Sequence, residues 1–553
     1  MAVERDDEAS LRDVKRGEWT LRDEDARRYV QRAVDATVSL VDSTLGPNGM
    51  EKLIETESRQ NQSELVRVDD GGRILDAIER GEGFSHPVAA LFVDGVEGMR
   101  NGLNDGTTTT VLLAGALMQE GRDLVEQGLA PSDVLVGYGI ARARAGEVLD
   151  DLAEPVEATD EERLSSVAAT TMTTTLPDPV RSTLAEAVAT AVSNLAANGD
   201  DLINTDHVKV LAQPAATTDV YGGFILSRPT DADPNGRGPT APLTDTKVAV
   251  LDREVDPEET ASALDGGNSV RLSSPEAADQ YQTELEASVE AAASDLRERG
   301  VGVLVCLEKL DEWIVRLFEA ADIAVVDKAT YPKEEVYRLA RATGGTAVSN
   351  LRDLTDDRLG EAERVEQHWV GDEVWTCFRN TSGMSYTIVT GSGTESGAAR
   401  REAAVADALE TTTVAALDGQ VLPGAGAPAA AVATALRDDA TTVEGREQLA
   451  LTAFADALDR LPVVLARNAG RDPSDALTEL RTAHAAEGRA SAGLGRADGE
   501  VIDAWAAGVV EPRRVFSQGI ETAAAVTEQL LTVDSVLFPN VELAGYTPKP
   551  ERE

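Results

Sequence analysis

The hydrophobic pattern of the chain changes its period twice. Over residues 26–45, apolar side chains recur at three- and four-residue steps, the spacing of one buried face of an α-helix. Over residues 208–376, short β-branched runs alternate with helical patterns, as they do in α/β domains. From Glu395 onward the pattern is helical again. The sequence therefore predicts a multidomain α and α/β protein, in which a helical domain from both ends of the chain flanks a different middle.

Turn-forming residues divide these patterns into elements. The first helix must stop at the Gly-Pro-Asn-Gly run of residues 46–49, because proline and two glycines prevent its continuation. A loop is expected at residues 228–245, which are rich in Pro, Gly, Asp and Thr. Further helices are expected at 85–102, after Asp105, twice within 160–198 around a threonine-rich turn at 170–175, after Pro275 and at 400–417, and strands at 208–211, 248–251, 301–307 and 323–326.

Length and composition exclude several classes of protein. The 553 residues are too many for one hydrophobic core and correspond to about three domains of ~100–200 residues. No stretch approaches the ~20 uninterrupted apolar residues that a membrane span needs. The charged first 17 residues lack the apolar centre of a secretory signal. We therefore expect a cytoplasmic protein that has no contact with a membrane.

Acidic residues outnumber basic residues by almost two to one. The sequence has 98 Asp and Glu against 51 Lys and Arg, for a formal net charge of −47. Such a surface repels nucleic acid. The acids are spread through helical and strand-like segments alike, which argues against a disordered acidic tail. At molar salt the screening length falls to ~3 Å and removes most of the self-repulsion, so the composition indicates adaptation to high salt.

A phosphate-binding loop is predicted where Asp-Gly-Thr-Thr-Thr-Thr, residues 105–110, precedes an apolar helix. Glycine permits close approach of a ligand, and the backbone N–H groups at the start of a helix favour an anion. Asp105 has two interpretations: it caps the helix, or its hard carboxylate oxygens hold Mg²⁺. No Walker A motif competes, because no lysine follows a glycine.

Together with Thr-Leu-Gly-Pro at residues 44–47, this loop resembles the nucleotide-binding pair of the chaperonins. Other short segments resemble the group II branch of that family, in the family's order and over nearly the whole chain. They are residues 49–53, 86–87, 339–344, 350–355, 445–450, 468–470, 480–484 and 508–512. The chain is therefore identified as a member of the group II chaperonins, similar to an archaeal thermosome subunit of haloarchaeal type but divergent from it.

The resemblance implies that the chain binds ATP with Mg²⁺, and it assigns roles to individual residues. Asp105 is implied to bind Mg²⁺, and Glu511 to bind the ribose hydroxyls near Gly426. The residues implied to contact the phosphates are Thr44, Leu45, Gly46, Pro47, Gly106, Thr107, Thr108 and Thr109. The residues implied to lie near the base are Asn468, Ala469 and Gly470.

Two further carboxylates are implied to act in hydrolysis. Asp70 corresponds to a residue that faces the γ-phosphate, and Asp407 to the one that orients the attacking water. Phosphoryl transfer needs chiefly a held metal, a positioned water and charge stabilisation. Asp105, Asp70 and Asp407 are therefore a sufficient set. The helix that carries Asp407 is expected to reach the nucleotide only when its domain closes.

The resemblance also implies three nested domains and a function. The expected domains are a helical equatorial domain at 1–155 and 410–553, an intermediate hinge domain at 156–215 and 378–409, and an apical α/β domain at 216–377 with a helical protrusion around 255–298. Such a subunit would bind unfolded polypeptides and enclose them in a double ring of like subunits, identical or not, which closes on ATP hydrolysis. No nucleic acid or membrane partner is expected.

Several positions depart from the family's pattern, and they leave an alternative open. They are Asn48, Asp69, Gly72, Arg73, Ala429 and Thr175. Asn48 and Thr175 stand where the family has lysines, so the chain could instead be a weakly hydrolysing scaffold or regulatory subunit. A small-molecule kinase is a weaker hypothesis, because no acceptor-site base is evident. The GxGxxA run at residues 424–429 also fits a dinucleotide fingerprint, but no strand–helix unit with a later acidic residue is evident around it.

Overall fold

The computed structural model describes most of the chain. The described residues are 19–57, 63–68, 70–80, 86–103, 105–172, 176–197, 203–214, 218–230, 236–260, 275–328, 333–381, 385–486, 489–496 and 498–538. Asp69, Thr175 and residues 261–274 of the predicted protrusion lie outside them.

The described helices, in chain order, are α1 (Asp23–Val41), α2 (Gly71–Arg80), α3 (Pro87–Leu103), α4 (Thr107–Glu126), α5 (Pro131–Leu152), α6 (Glu161–Thr171), α7 (Asp178–Ala197), α8 (Pro275–Glu298), α9 (Glu312–Ala320), α10 (Glu334–Ala342), α11 (Glu395–Asp418), α12 (Ala427–Ala440), α13 (Glu447–Asn468), α14 (Pro473–His484) and α15 (Arg513–Leu531). None of them is both long enough and apolar enough to cross a lipid bilayer.

The described strands are β1 (Trp19–Arg22), β2 (Lys52–Glu57), β3 (Ser63–Val68), β4 (Glu154–Pro155), β5 (Val208–Ala212), β6 (Asp219–Pro229), β7 (Leu243–Leu251), β8 (Val301–Cys306), β9 (Ala324–Val326), β10 (Gly360–Val370), β11 (Glu373–Thr381), β12 (Tyr386–Thr390), β13 (Gln420–Pro423), β14 (Ala492–Leu494), β15 (Val501–Asp503), β16 (Val510–Pro512) and β17 (Ser535–Phe538).

The chain divides into two compact units. Unit 1 combines Met1–Val156 with Asp418–Glu553, and unit 2 is Glu157–Leu417. Both ends of the chain therefore belong to one unit. The finer division into equatorial, intermediate and apical domains stays a prediction.

Unit 1 is a helical bundle around α4. Every residue of α4 from Thr110 to Met118 is buried, as expected for a helix without a polar face. Helices α1, α5, α13 and α15 contribute to the same core. Tyr138 of α5 shows the packing: its hydroxyl donates to the Leu117 carbonyl at 2.9 Å, and its ring meets Phe454 edge to face, with centroids 5.3 Å apart. A buried tyrosine is thus both packed and hydrogen-bonded.

Small sheets join distant parts of unit 1. Strands β1 and β17, from opposite ends of the chain, pair antiparallel. Strand β13 lies between β16 and β4, antiparallel to both. Two hairpins, β2–β3 and β14–β15, complete this set. None of these pairings was predicted from the sequence, because the strands lie among helical patterns and most of them have only two to four residues.

Unit 2 is built on an eight-stranded sheet with the order β5-β12-β6-β11-β10-β7-β8-β9. Strands β7, β8 and β9 are parallel, and β6, β11, β10 and β7 pair antiparallel. Residues of α8 and α9, such as Val289 and Phe318, pack on one face of the sheet. Leu339 of α10 packs on the other. The predicted combination of helical and α/β parts is confirmed.

The predicted bounds of the loop at residues 228–245 are wrong at both ends, because strands extend into the segment from either side. Strand β6 continues to Pro229 and β7 begins at Leu243. Arg228 is only 2% exposed, and its guanidinium donates to the Asp327 carbonyl at 3.0 Å. The composition of the segment indicated a loop, but a buried arginine with a backbone acceptor extends the strand.

Candidate functional site

The Thr-Leu-Gly-Pro segment forms a tight turn after α1. Thr44 is buried, and its hydroxyl donates to the Val41 carbonyl at 2.7 Å, which satisfies the end of the helix. Gly46 has φ of +80°, and a Cβ on it would lie 2.3 Å from Leu465 Cδ2. The positive dihedral angle favours glycine, and any side chain here would also displace the Leu465 methyl group.

The C-terminal end of α13 holds this turn in place. The Asn468 side-chain amide donates to the Leu45 carbonyl at 2.9 Å and to the Asp42 carbonyl at 3.1 Å. The Arg467 guanidinium pairs with the Asp42 carboxylate at 2.9 Å. Leu45 and Asn468 are 423 residues apart in the chain. The structure thus brings the predicted phosphate turn and the predicted base segment together.

The predicted phosphate loop leads directly into α4. Gly106, with φ of +77°, is the N-cap residue of this helix. The Asp105 carboxylate accepts from the Gly106 N–H at 2.6 Å, so Asp105 lies one residue before the cap. Thr107 and Thr108 are buried and Thr109 is partly buried. The loop therefore presents a helix N-terminus, which favours an anion, beside a carboxylate.

Asp70 lies beside the same loop. Its carboxylate caps α2 by accepting from the Arg73 N–H at 3.0 Å. The next residue, Gly71, donates its N–H to the Thr108 hydroxyl at 3.2 Å. A Cβ on Gly72 would lie 3.1 Å from Asp70 Oδ1 and 3.3 Å from Thr107 Oγ1. Asp70 is exposed and next to the threonines implied to contact phosphate.

Gly426 belongs to the same group of loops. It caps α12 with φ of +79°, and a Cβ on it would lie 3.2 Å from Leu465 Cδ1. One methyl group of Leu465 therefore packs on Gly46 and the other on Gly426.

The GxGxxA run at residues 424–429 does lie between a strand and a helix, because β13 precedes it and α12 begins within it. The expectation that no strand–helix unit surrounds this run was therefore wrong. However, β13 lies in an antiparallel sheet, whereas the dinucleotide fold requires parallel βαβ units.

Glu511 brings a second carboxylate to the site. It lies in β16, opposite Leu422 of β13. Burial and, to a smaller extent, the nearby Asp105 carboxylate raise the pKa of Glu511 to about 8. With such a pKa the Glu511 carboxyl is mostly protonated near neutral pH, and a divalent cation beside it would favour the ionised form.

The donor set fits Mg²⁺ held jointly with phosphates. Within the described residues, no group of three or more His, Cys, Asp or Glu side chains could hold a metal by itself. Mg²⁺ usually takes one or two protein carboxylates and completes its shell with substrate phosphates and water. Asp105, at the mouth of the phosphate loop, matches that pattern.

Replacement of Glu511 by glutamine should flatten the pH dependence of stability. The unfolded carboxyl ionises near the usual 4.5 and the folded one near 8, so unfolding releases a proton between these values. The wild-type protein should therefore lose stability, relative to Glu511→Gln, as the pH rises from about 4.5 to about 8. Thermal unfolding of both proteins across this range at constant high salt measures the difference. Parallel pH profiles would contradict the raised pKa.

Asp407 belongs to the other unit. It lies on α11, is partly buried, and its backbone carbonyl accepts from the Thr411 hydroxyl at 3.0 Å. The structure thus gathers the predicted nucleotide and metal residues and Asp70 within unit 1, and places Asp407 in unit 2.

The β14–β15 hairpin is a part of this site that sequence analysis missed. The Leu494 N–H donates to the Ala425 carbonyl at 2.9 Å. Its loop approaches the base segment, since a Cβ on Gly499 would lie 3.2 Å from the Ala469 Cβ. The Asn48 amide donates to the Arg496 carbonyl at 2.8 Å. Glycines 495 and 499 between two short apolar runs were a signal for this hairpin.

Comparisons with known proteins agree with this architecture. The model of the TCP-1/cpn60 chaperonin family matches residues 38–540. A thermosome subunit of Methanopyrus kandleri is 34% identical over 519 residues, 93% of this chain and 92% of the relative. Thermosome subunit alpha of Halobacterium salinarum is 34% identical over 526 residues, 94% and 90% of the two chains. Thermosome subunit 1 of Haloferax volcanii is 35% identical over 528 residues, 95% and 90% of the two chains.

The family match covers most of the chain, and the similarity to thermosome subunits extends over nearly the full length of both partners. Two of these relatives come from halophilic archaea, in keeping with the acidic composition. The chain belongs to the TCP-1/cpn60 chaperonin family, in its group II branch, as its sequence motifs predicted.

Proposed function

We propose that this chaperonin subunit binds Mg·ATP in unit 1 and uses its hydrolysis to enclose unfolded polypeptides in a double ring. One observation carries the proposal: segments from three distant parts of the chain, residues 44–47, 424–426 and 468–470, meet around Leu465 and Asn468. The predicted phosphate loop at 105–109 lies in the same unit, and the pKa of Glu511, which pairs with Leu422 just before the segment 424–426, is raised by burial and then by Asp105 of that loop. Members of this family are in general ATP-dependent chaperones, and an ATP site is the feature that this convergence supports best.

Each part of the site has a physical task. The N-terminus of α4 directs backbone N–H groups to the phosphates, and the hydroxyls of the threonines add donors. A bound Mg²⁺ would neutralise phosphate charge, with Asp105 as its protein ligand. The turn at Gly46 is already held in place by Asn468. Its backbone therefore loses little conformational entropy when the nucleotide binds. Asp70, as the cap of α2, is held beside Thr107 and Thr108.

We assign the positioning of the attacking water to Asp407. Its helix, α11, belongs to the predicted intermediate domain, whose closure would bring the carboxylate to the bound nucleotide. The predicted apical domain, with the protrusion around residues 255–298, would bind unfolded clients and form the lid. We expect the complex to consist of like subunits and to work in the cytoplasm.

The alternative is a scaffold subunit that hydrolyses ATP weakly. This alternative is based on Asn48, which stands where the family has a lysine. The Asn48 side-chain amide donates to the Arg496 carbonyl and supplies no positive charge. Similarity to thermosome subunits along nearly the whole chain favours an active subunit.

ATP turnover by the purified protein in high salt, with and without an unfolded client, distinguishes the two. An active chaperonin hydrolyses ATP, refolds the client only with ATP, and forms double rings in electron micrographs. Rings that bind ATP without turnover would favour the scaffold, and a protein that binds no ATP would refute the proposal.

Assembly should depend on salt. With a net charge of −47 per subunit, a ring concentrates like charge, and screening at low ionic strength extends over ~10 Å instead of ~3 Å. Lowering the salt should therefore separate subunits before it unfolds them. Sedimentation and circular dichroism over one salt series measure both events. Intact rings at ~0.1 M salt would contradict the expectation.

A further inference from the structure

Helix α13 ends in a cap that fixes the backbone of its last turn. Gly470 has φ of +75°, and its N–H donates to the Arg467 carbonyl at 3.0 Å. The Arg471 N–H donates to the Ala466 carbonyl, also at 3.0 Å. These two hydrogen bonds form a Schellman motif, in which a glycine in the left-handed conformation ends the helix. The backbone of Asn468, the last residue of α13, is therefore held in one position.

The Asn468 side chain uses both of its N–H donors on the chain around the phosphate turn, residues 44–47. A side-chain amide has two N–H donors and one carbonyl acceptor. The Asn468 amide donates to the Leu45 carbonyl at 2.9 Å and to the Asp42 carbonyl at 3.1 Å. Both partners are backbone carbonyls, which can only accept, so they fix the orientation of the amide. No N–H of this side chain is left to bind the base of a nucleotide.

Leu465 lies one turn before Asn468 on α13 and packs on two loops of the site. A Cβ on Gly46 would lie 2.3 Å from Leu465 Cδ2, and a Cβ on Gly426 would lie 3.2 Å from Leu465 Cδ1. This apolar contact sets the separation of the two loops but has little directional preference. The hydrogen bonds from Asn468 are directional. They therefore orient the Leu45 carbonyl, and with it the backbone of the phosphate turn.

We propose that Asn468 is a positioning residue, which holds the phosphate turn in its binding geometry and does not read the base. This inference rests on the proposed function, and it changes the role that the family resemblance implied for Asn468. Without the amide, the Leu45 and Asp42 carbonyls lose a donor, and the turn gains conformers that do not fit the phosphates. Affinity then falls with the fraction of competent conformers. The contribution of Asn468 thus depends on the phosphates of the ligand and not on its base.

The test compares four full-length proteins in high salt: wild type, Asn468→Ala, Asn468→Asp and Gln448→Ala. Aspartate has the shape of asparagine but lacks its N–H donors. Gln448→Ala is the matched control, because it removes an amide side chain from the exposed first turn of the same helix. Equilibrium titrations use Mg·ATP, Mg·ITP, which has a carbonyl in place of the adenine amino group, and adenosine, which has no phosphate. Sedimentation and circular dichroism verify assembly and folding.

Asn468→Ala should weaken the binding of ATP and of ITP by the same factor, about tenfold for two neutral hydrogen bonds, and leave adenosine affinity within about twofold of wild type. Asn468→Asp should lose at least as much ATP and ITP affinity, because its charge also repels the phosphates. Gln448→Ala should match wild type for all three ligands. A role in folding alone would lower stability without a loss of affinity that depends on the phosphates.

An equal loss of adenosine and ATP affinity, or a changed ratio of ATP to ITP affinity, would show that Asn468 reads the base and would overturn the inference. Unchanged ATP affinity in Asn468→Ala would also overturn it. If Asn468→Ala does not fold, the isosteric aspartate variant decides by the same three criteria. A wild-type protein that binds neither ATP nor ITP would refute the proposed function itself.

Discussion

Replacing Asp407 with alanine should lower the rate of ATP hydrolysis by on the order of 10²-fold or more and leave ATP affinity within a few fold of wild type. The reason is the separation of roles between the two units. The residues assigned to nucleotide binding all lie in unit 1, whereas Asp407 lies on α11 of unit 2. A group that acts only in the transition state changes the chemical step and not ground-state binding.

Single-turnover hydrolysis and equilibrium titration on the same preparation separate these effects. Glu410→Gln is the control, because Glu410 is on the same helix, is also partly buried, and has no assigned role. Near-normal hydrolysis by Asp407→Ala would remove Asp407 from the catalytic assignment. Equal slowing by both variants would indicate a general disturbance of α11.

Replacing Asp105 with alanine should weaken Mg·ATP binding by on the order of 10²-fold, because a metal contact to phosphate and carboxylate contributes several kcal/mol. The effect should appear only with the metal. Without Mg²⁺, the variant should bind ATP as well as wild type or better, since it has lost a carboxylate that repels the phosphates. Its loss should also lower the pKa of Glu511, which Asp105 raises.

Titrations with ATP in the presence of Mg²⁺ or of EDTA measure this metal dependence. Asp123→Ala is the control, because Asp123 is exposed near the other end of α4. An Asp105 variant that loses the same affinity with and without Mg²⁺ would contradict metal binding. It would favour a structural role, in which the carboxylate only fixes the loop by accepting from Gly106.

Local patterns predicted much of the fold. The end of α1 before Gly46 and Pro47, the start of α4 after Gly106, and the helix after Pro275 follow from residues within one or two turns of the boundary. The elements that depend on partners far away in the chain were not predicted. Strand β1 forms because β17 pairs with it, and β6 extends through Arg228 because a carbonyl 99 residues away accepts its guanidinium hydrogen bond.

The candidate site likewise has parts that local motifs indicated and parts that only the structure shows. Sequence motifs alone identified the phosphate loop, the Thr-Leu-Gly-Pro turn and the family, and the family is confirmed by the match over residues 38–540. Their roles in catalysis and binding stay predictions. The position of Leu465 between two glycines and the hairpin that brings Arg496 to Asn48 had no motif to indicate them.

The sequence by itself thus determined the family and the acidic composition, and it indicated several of the helices and the segments that are predicted to carry the chemistry. Only the tertiary structure decided which of those segments meet, which carboxylates share a region, and which side chains pack around the candidate site. The physical reason is the distance along the chain over which each kind of interaction acts. Hydrophobic period, glycine conformation and helix capping act within a few residues, whereas strand pairing, side-chain packing and the pKa of Glu511 depend on groups that folding brings together from hundreds of residues apart.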